Sequence, residues 1–240
     1  MSTFFSFVVT IIIAFFVIKF SIYVIKHFGG KNSEVETNNV FESVEKQKED
    51  LKRESPLLCS LALKGKDCDS LIDDNVEFGH SINNPIPANG ILGEMKYINR
   101  LRCKCGVGLM YHRIGSIEND KIEGNVDVYE TVCLEGKHWD ILYLHLYHPR
   151  RSLWIPSGYN FSKFHPIFST MAVGYGTNHY DKDFPFGLGP IILLQLGEEF
   201  GPAFVKKFEN MIKDKDKFIR PEKQKQILQQ INLHLINYEK

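Results

Sequence analysis

The sequence predicts an α+β domain, an antiparallel sheet of at least three strands with C-terminal helices, carried on a single N-terminal transmembrane helix. Three observations predict it. Residues 4–25 form a nearly unbroken apolar run, and residues 109–147 hold alternating apolar segments separated by connections of hairpin length. From Pro190 onward, apolar side chains recur at helical spacing behind prolines. Strands joined by hairpins rather than by helices argue against a doubly wound parallel sheet.

The apolar run from Phe4 to Ile25 is broken only by Ser6, Thr10, Lys19 and Ser21. At about 1.5 Å per helical residue it reaches roughly 33 Å, enough for the ~30 Å hydrocarbon core. Backbone groups in lipid must be satisfied internally, so an isolated span is helical. Lys19 lies near enough to the end of the run for its stem to carry the charge to the headgroups. No basic residue precedes the run and no small-residue cleavage site follows it, so an anchor is expected rather than a cleaved signal. Lys19, Lys26 and Lys31 place the basic charge on the C-terminal side. The positive-inside rule then puts the N-terminus outside and the following domain in the cytoplasm. The expected organisation is an anchor over 1–28, a charged juxtamembrane linker over 29–55 and a domain over 56–240.

Charge balance removes one class of partner. With 29 basic and 29 acidic side chains, the chain has no general field for nucleic acid. An apolar content of 43% suffices for a core of ordinary domain size. Five cysteines, at positions 59, 68, 103, 105 and 133, make an odd set that suits a reducing compartment better than a disulfide framework.

Each element follows from local pattern. Val40, Val44 and Leu51 form a thin stripe in the linker, fitting a solvated stalk helix or tether better than a coiled coil. Leu57–Leu63 opens the body as a short helix or strand. Pro85, Pro87 and the Asn89-Gly90 pair mark extended backbone and a turn, and Leu92 to Leu101 has helical spacing. Leu109–Ile117 alternates as a strand, and a polar turn spans Glu118–Asn125. In the next strand Val126, Val128, Glu130 and Val132 share one face, with Asp127, Tyr129, Thr131 and Cys133 on the other. Glu135-Gly136-Lys137 is a tight turn, and Trp139–Tyr147 returns with bulky residues on both faces, as in a central strand under an aromatic layer. An aromatic, Gly/Pro-rich segment follows, expected to pack over the sheet. Pro190, Pro202 and Pro221 each suit the start of a helix, the last with Ile227, Leu228, Ile231, Leu235 and Tyr238 inward.

Chemistry is less legible than fold. Six of the nine histidines lie between His112 and His179; His138 and Asp140 have the strand spacing of a metal site, but no HExxH, HxH or paired CxxC motif occurs. Cys103-x-Cys105-Gly106 with Cys133 suggests a zinc knuckle, but the one-residue gap gives a poor bite and the fourth ligand would come from Cys59, Cys68 or a histidine. Buried reduced cysteines are the expectation, and a Cys103–Cys105 disulfide is disfavoured by its small ring. No metal or cofactor is expected. Nucleophile elbows, Walker loops and kinase motifs are absent from the sequence.

One cluster offers a candidate site. A three-strand meander could bring Arg113, Arg150 and Arg151 together as an anion cluster, with His112, Glu130 and His148 as candidate catalytic groups. The competing expectation, and the favoured one, is that Arg113 and Arg151 pair internally with Asp127, Glu130 or Asp140. The function expected is accordingly an interaction, scaffolding or sensing module held in the bilayer through residues 4–25, with a protein partner or self-association. The alternative is a membrane-tethered hydrolase or transferase for an anionic, phosphorylated substrate.

Overall fold

The computed structural model describes residues 40–66, 69, 71–162, 184–186, 206, 210 and 213–238. The apolar run of 4–25, most of the aromatic segment, the expected helix at Pro190 and all but residues 206 and 210 of the one at Pro202 lie outside them. In chain order the elements are α1 (Val44–Glu54), α2 (Pro56–Ala62), β1 (Ile86–Pro87), α3 (Gly90–Arg100) and β2 (Leu101–Cys103). They continue with β3 (Leu109–Asn119), β4 (Ile122–Cys133), β5 (Trp139–His145), β6 (Tyr159–Phe161), a 3-10 turn (Lys215–Phe218) and α4 (Glu222–Tyr238). Among the described residues no helix is long and apolar enough to cross a membrane.

The fold is α+β, with a mixed four-stranded sheet ordered β1-β5-β4-β3 and a C-terminal helix. The three long strands form the antiparallel meander that their alternation demands, in register His112 opposite Glu130 and Tyr129 opposite Leu142. The fourth strand corrects the purely antiparallel expectation. Ile86 and Pro87 pair parallel to Leu144 and His145, and Ala88 N–H donates to the His145 carbonyl at 2.8 Å. Proline is tolerated there because this is an edge strand. A separate two-stranded ribbon joins β2 to β6.

The sheet is covered on both faces. Tyr97 and Ile98 of α3 pack with Ile86, Tyr111, Tyr129, Cys133, Leu142 and Leu144 on one side. On the other, Leu228, Ile231, Ile227 and Leu235 of α4 pack against Ile114, Ile117, Val128 and Ile141. The inward set expected for the last helix is therefore the one used, apart from Tyr238, whose side chain is outside the described residues. Among the described residues, aliphatic side chains of α4 meet this second face and Phe184 lies against His112 and Trp139; most of the aromatic segment expected to cover the sheet lies outside the described residues. The expected polar turn over Glu118–Asn125 is shorter, because β3 and β4 run on until Asn119 pairs with Ile122. Residues 40–54, assigned by charge pattern to a linker, pack into the body: Phe41 joins the core, and Leu51 is buried with Cys59 and Ala62. Ser43 caps α1 by accepting a hydrogen bond from Lys46 N–H at 3.2 Å.

Candidate functional site

Glu130 sits in the middle of β4 on the α4 face, and its position is fixed by two partners. His112, directly across the ladder, donates from Nε2 to Oε2 at 2.8 Å. Arg220, just before α4, forks onto both oxygens, with Nε to Oε1 at 2.7 Å and Nη2 to Oε2 at 2.9 Å. Glu130 and His112 are buried, and the Arg220 side chain is 9% exposed. Phe184 stacks on the imidazole at 4.3 Å, and the guanidinium lies over Trp139. Such a bidentate pair orients both groups and keeps the carboxylate occupied.

Arg113 faces the opposite side of the sheet, as the neighbour of His112 in a strand must. Its Nε and Nη2 fork onto Asp127 at 2.8 and 2.9 Å, and Ser116 hydrogen-bonds to both partners. Burial alone would lower the Arg113 pKa, but the hydrogen-bonded Asp127 carboxylate raises it above its ordinary value. Next to this pair, Tyr129 donates to the Glu94 carboxylate at 2.9 Å. Burial first, and the nearby Asp127 charge second, push the Glu94 pKa well above the usual carboxylate range.

Arg150 and Arg151, though adjacent, diverge. Arg150 pairs with Asp69 at 2.9 Å, and Ser152 donates to the same carboxylate. Arg151 is buried against the Phe41 ring, pairs with Glu42, and bonds Asn89 Oδ1 at 3.3 Å. Its backbone N–H donates to Gln47 Oε1 at 2.9 Å, so the residue ties the loop after β5 to the start of α1. The internal partner is thus Glu42, not a sheet carboxylate.

His148 belongs to a different place again. It borders a cleft of about 640 Å³ with His145, Tyr147, Lys64, Lys66, Lys121, Glu123 and Gly124. His145 Nε2 donates to the Glu123 carbonyl at 2.9 Å, its Nδ1 meets His148 Nε2 at 2.8 Å, and His148 Nδ1 reaches the Lys66 carbonyl at 2.9 Å. Carbonyls only accept, so all three bonds close when the pair carries one proton beyond neutrality, a protonation assigned from the partners. Burial, and then the charge of His148, lower the His145 pKa to about 4.

The expected cluster is thereby divided among five locations. His112 and Glu130 do meet; Arg113, Arg150, Arg151 and His148 each stand elsewhere with partners of their own. Sequence reasoning missed Arg220, Glu42, Asp69 and Glu94. These partners come from remote segments, and no local pattern announces them.

A second assembly lies at the end of the sheet where the β2–β3 and β4–β5 turns meet. Cys103, Cys105, Cys133 and His138 bring their sulfur and imidazole donor atoms within 4.8 Å of one another. Cys59 and Cys133 are buried free thiols, but Cys103 and Cys105 are joined as a disulfide, which corrects the expectation against so small a ring. The reason is Gly106: at φ +83° it folds the chain back, and its N–H donates to the Cys103 carbonyl at 2.7 Å. Comparison of the chain with protein-family models, curated proteins and solved structures finds no match.

Proposed function

We propose that this chain is a membrane-anchored interaction or sensing module, with residues 4–25 as the span, the N-terminus outside and the body in the cytoplasm. One observation carries the reading. The charged groups that would compose an active site are held in internal pairs: Arg220 with Glu130 of β4, Arg151 with Glu42 ahead of α1, Arg150 with Asp69, Arg113 with Asp127. Large apolar side chains, by contrast, face solvent. Leu57 and Leu61 stand one turn apart on α2 at 84% and 53% exposure, and Leu153, Trp154 and Ile155 are exposed together in the loop after β5. Exposed apolar surface of this kind suits a protein partner or a second copy of the chain.

The test is the mass of the full-length protein extracted in mild detergent after cross-linking in its membrane. The expected result is a stoichiometric complex, lost in Leu57→Glu/Leu61→Glu. A monomer in both would overturn the reading. Reporter enzymes fused after Lys240 check the orientation separately; activity outside the cytoplasm contradicts it.

The cleft beside His145 and His148 favours a second reading, a hydrolase or transferase for an anionic, phosphorylated substrate. Lys64, Lys66 and Lys121 line it with the histidine pair. It is not the site assembled from the sequence, because Arg113, Arg150 and Arg151 do not line it.

A further inference from the structure

We propose that Cys103, Cys105, Cys133 and His138 bind one tetrahedral zinc ion that clamps the β2–β3 turn to the β4–β5 turn. Distance supports the geometry first. With bonds of about 2.3 Å to sulfur and 2.0–2.1 Å to nitrogen, a tetrahedral ion holds its sulfur and nitrogen ligands roughly 3.6 Å apart. The His138 Nδ1 atom lies 3.7 Å from Cys105 Sγ and 3.6 Å from Cys133 Sγ. Imidazole and sulfur are therefore spaced as two ligands of one ion.

The two turns are built alike, and this is the second support. Each starts on a cysteine and places a glycine three residues later, Gly106 and Gly136, at φ +83° and +71°. In each, the glycine N–H donates to the cysteine carbonyl at 2.7 Å. Each also aims a backbone N–H at the leading sulfur: Cys105 N–H to Cys103 Sγ at 3.3 Å, and His138 N–H to Cys133 Sγ at 3.4 Å. Donors turned onto sulfur favour the thiolate, the form that ligates metal. Leu134 N–H, donating to the Gly108 carbonyl at 3.0 Å, holds the turns side by side.

Three thiolates and a neutral imidazole suit zinc better than calcium or magnesium, which take oxygen ligands. The bound site carries one negative charge, three thiolates against Zn²⁺, and Lys104 lies between its first two ligands. Cys103 and Cys133 are buried while Cys105 is exposed, which leaves a route for the ion. Loading requires the reduced chain. A dithiol supplies two electrons and two protons to the Cys103–Cys105 disulfide and is itself oxidised to a disulfide. Zinc then displaces one proton from each of three thiols.

The experiment uses full-length protein purified in detergent with reductant and without chelator. Elemental analysis is expected to give one zinc per chain. Replacement by Co²⁺ is expected to give the intense visible bands and sulfur-to-metal charge transfer of a tetrahedral thiolate site. His138→Ala and Cys133→Ser lose both signals, whereas Cys59→Ser keeps them. Should these variants fail to fold, the wild type decides: chelator removes the zinc and lowers the melting temperature, and added Zn²⁺ restores both. Less than a tenth of an equivalent of zinc in reduced wild type, with no cobalt spectrum, would overturn the proposal. So would full zinc content in His138→Ala and Cys133→Ser together.

Discussion

Asp127 and Glu42 are both carboxylates held by arginine, yet they differ in what remains when the arginine is removed. Asp127 is 1% exposed and Glu42 41%. Arg113→Ala therefore strands a buried charge and is expected to cost about 3–5 kcal/mol. Arg151→Ala leaves a carboxylate that water can reach, so its loss is smaller and comes mainly from the side-chain contacts with Phe41 and Asn89. Chemical denaturation of the two variants checks the order; equal or reversed losses contradict it. The histidine pair gives a pH dependence. His145 titrates near 6.5 when unfolded and at about 4 when folded, so the folded state binds fewer protons between these values. Stability is then unaffected by this group above pH 6.5 and falls by up to about 3 kcal/mol as the pH drops to 4. In His145→Asn, melting temperatures measured across that window are expected to decline less steeply than in wild type. An unchanged slope would count against the assignment.

Elements show why much of the fold was legible and the site was not. β3, β4 and β5 announce themselves because period-two burial is a local signal, and Gly136 marks the turn between two of them. α4 is equally readable, its Leu228 and Ile231 recurring at helical spacing. α1 is misjudged as a stalk because within it only Leu51 is a buried apolar residue, while Gln47 and Asp50 are buried polar groups that no hydropathy pattern reveals. β1, two residues long, is held by the sheet rather than by propensity. Ion pairs are least legible: Arg220 reaches Glu130 from ninety residues away. The cysteine turns are a partial exception, since a glycine three residues after both Cys103 and Cys133 was visible in the sequence. Gly136 also tests the packing of the β4–β5 turn. At φ +71° an added Cβ would lie 2.0 Å from the Lys217 carbonyl oxygen of the 3-10 turn. Gly136→Ala is expected to cost at least about 1–2 kcal/mol from the left-handed conformation alone, and more from displacing that backbone. A melting temperature equal to wild type would show that the two turns do not meet.

For the molecule as a whole, the ionic ties explain how segments far apart in sequence stay together without long secondary structure. β4 binds the approach to α4 through Arg220, and the loop after β5 binds α1 through Arg151 and Asp69 through Arg150. In this account arginine serves architecture, and recognition falls to exposed leucine and tryptophan. An anion site would behave differently, because like charges held in wait for a ligand destabilise the free protein and are relieved when the ligand binds. The measurement that separates these most directly is thermal unfolding of the full-length protein in detergent, with and without inorganic phosphate, for wild type, Arg113→Ala and Arg150→Ala. A large loss of melting temperature is expected in Arg113→Ala, with no phosphate dependence in any of the three. A phosphate-induced rise in the wild type that Arg150→Ala abolishes, with either alanine as stable as the parent, would contradict it.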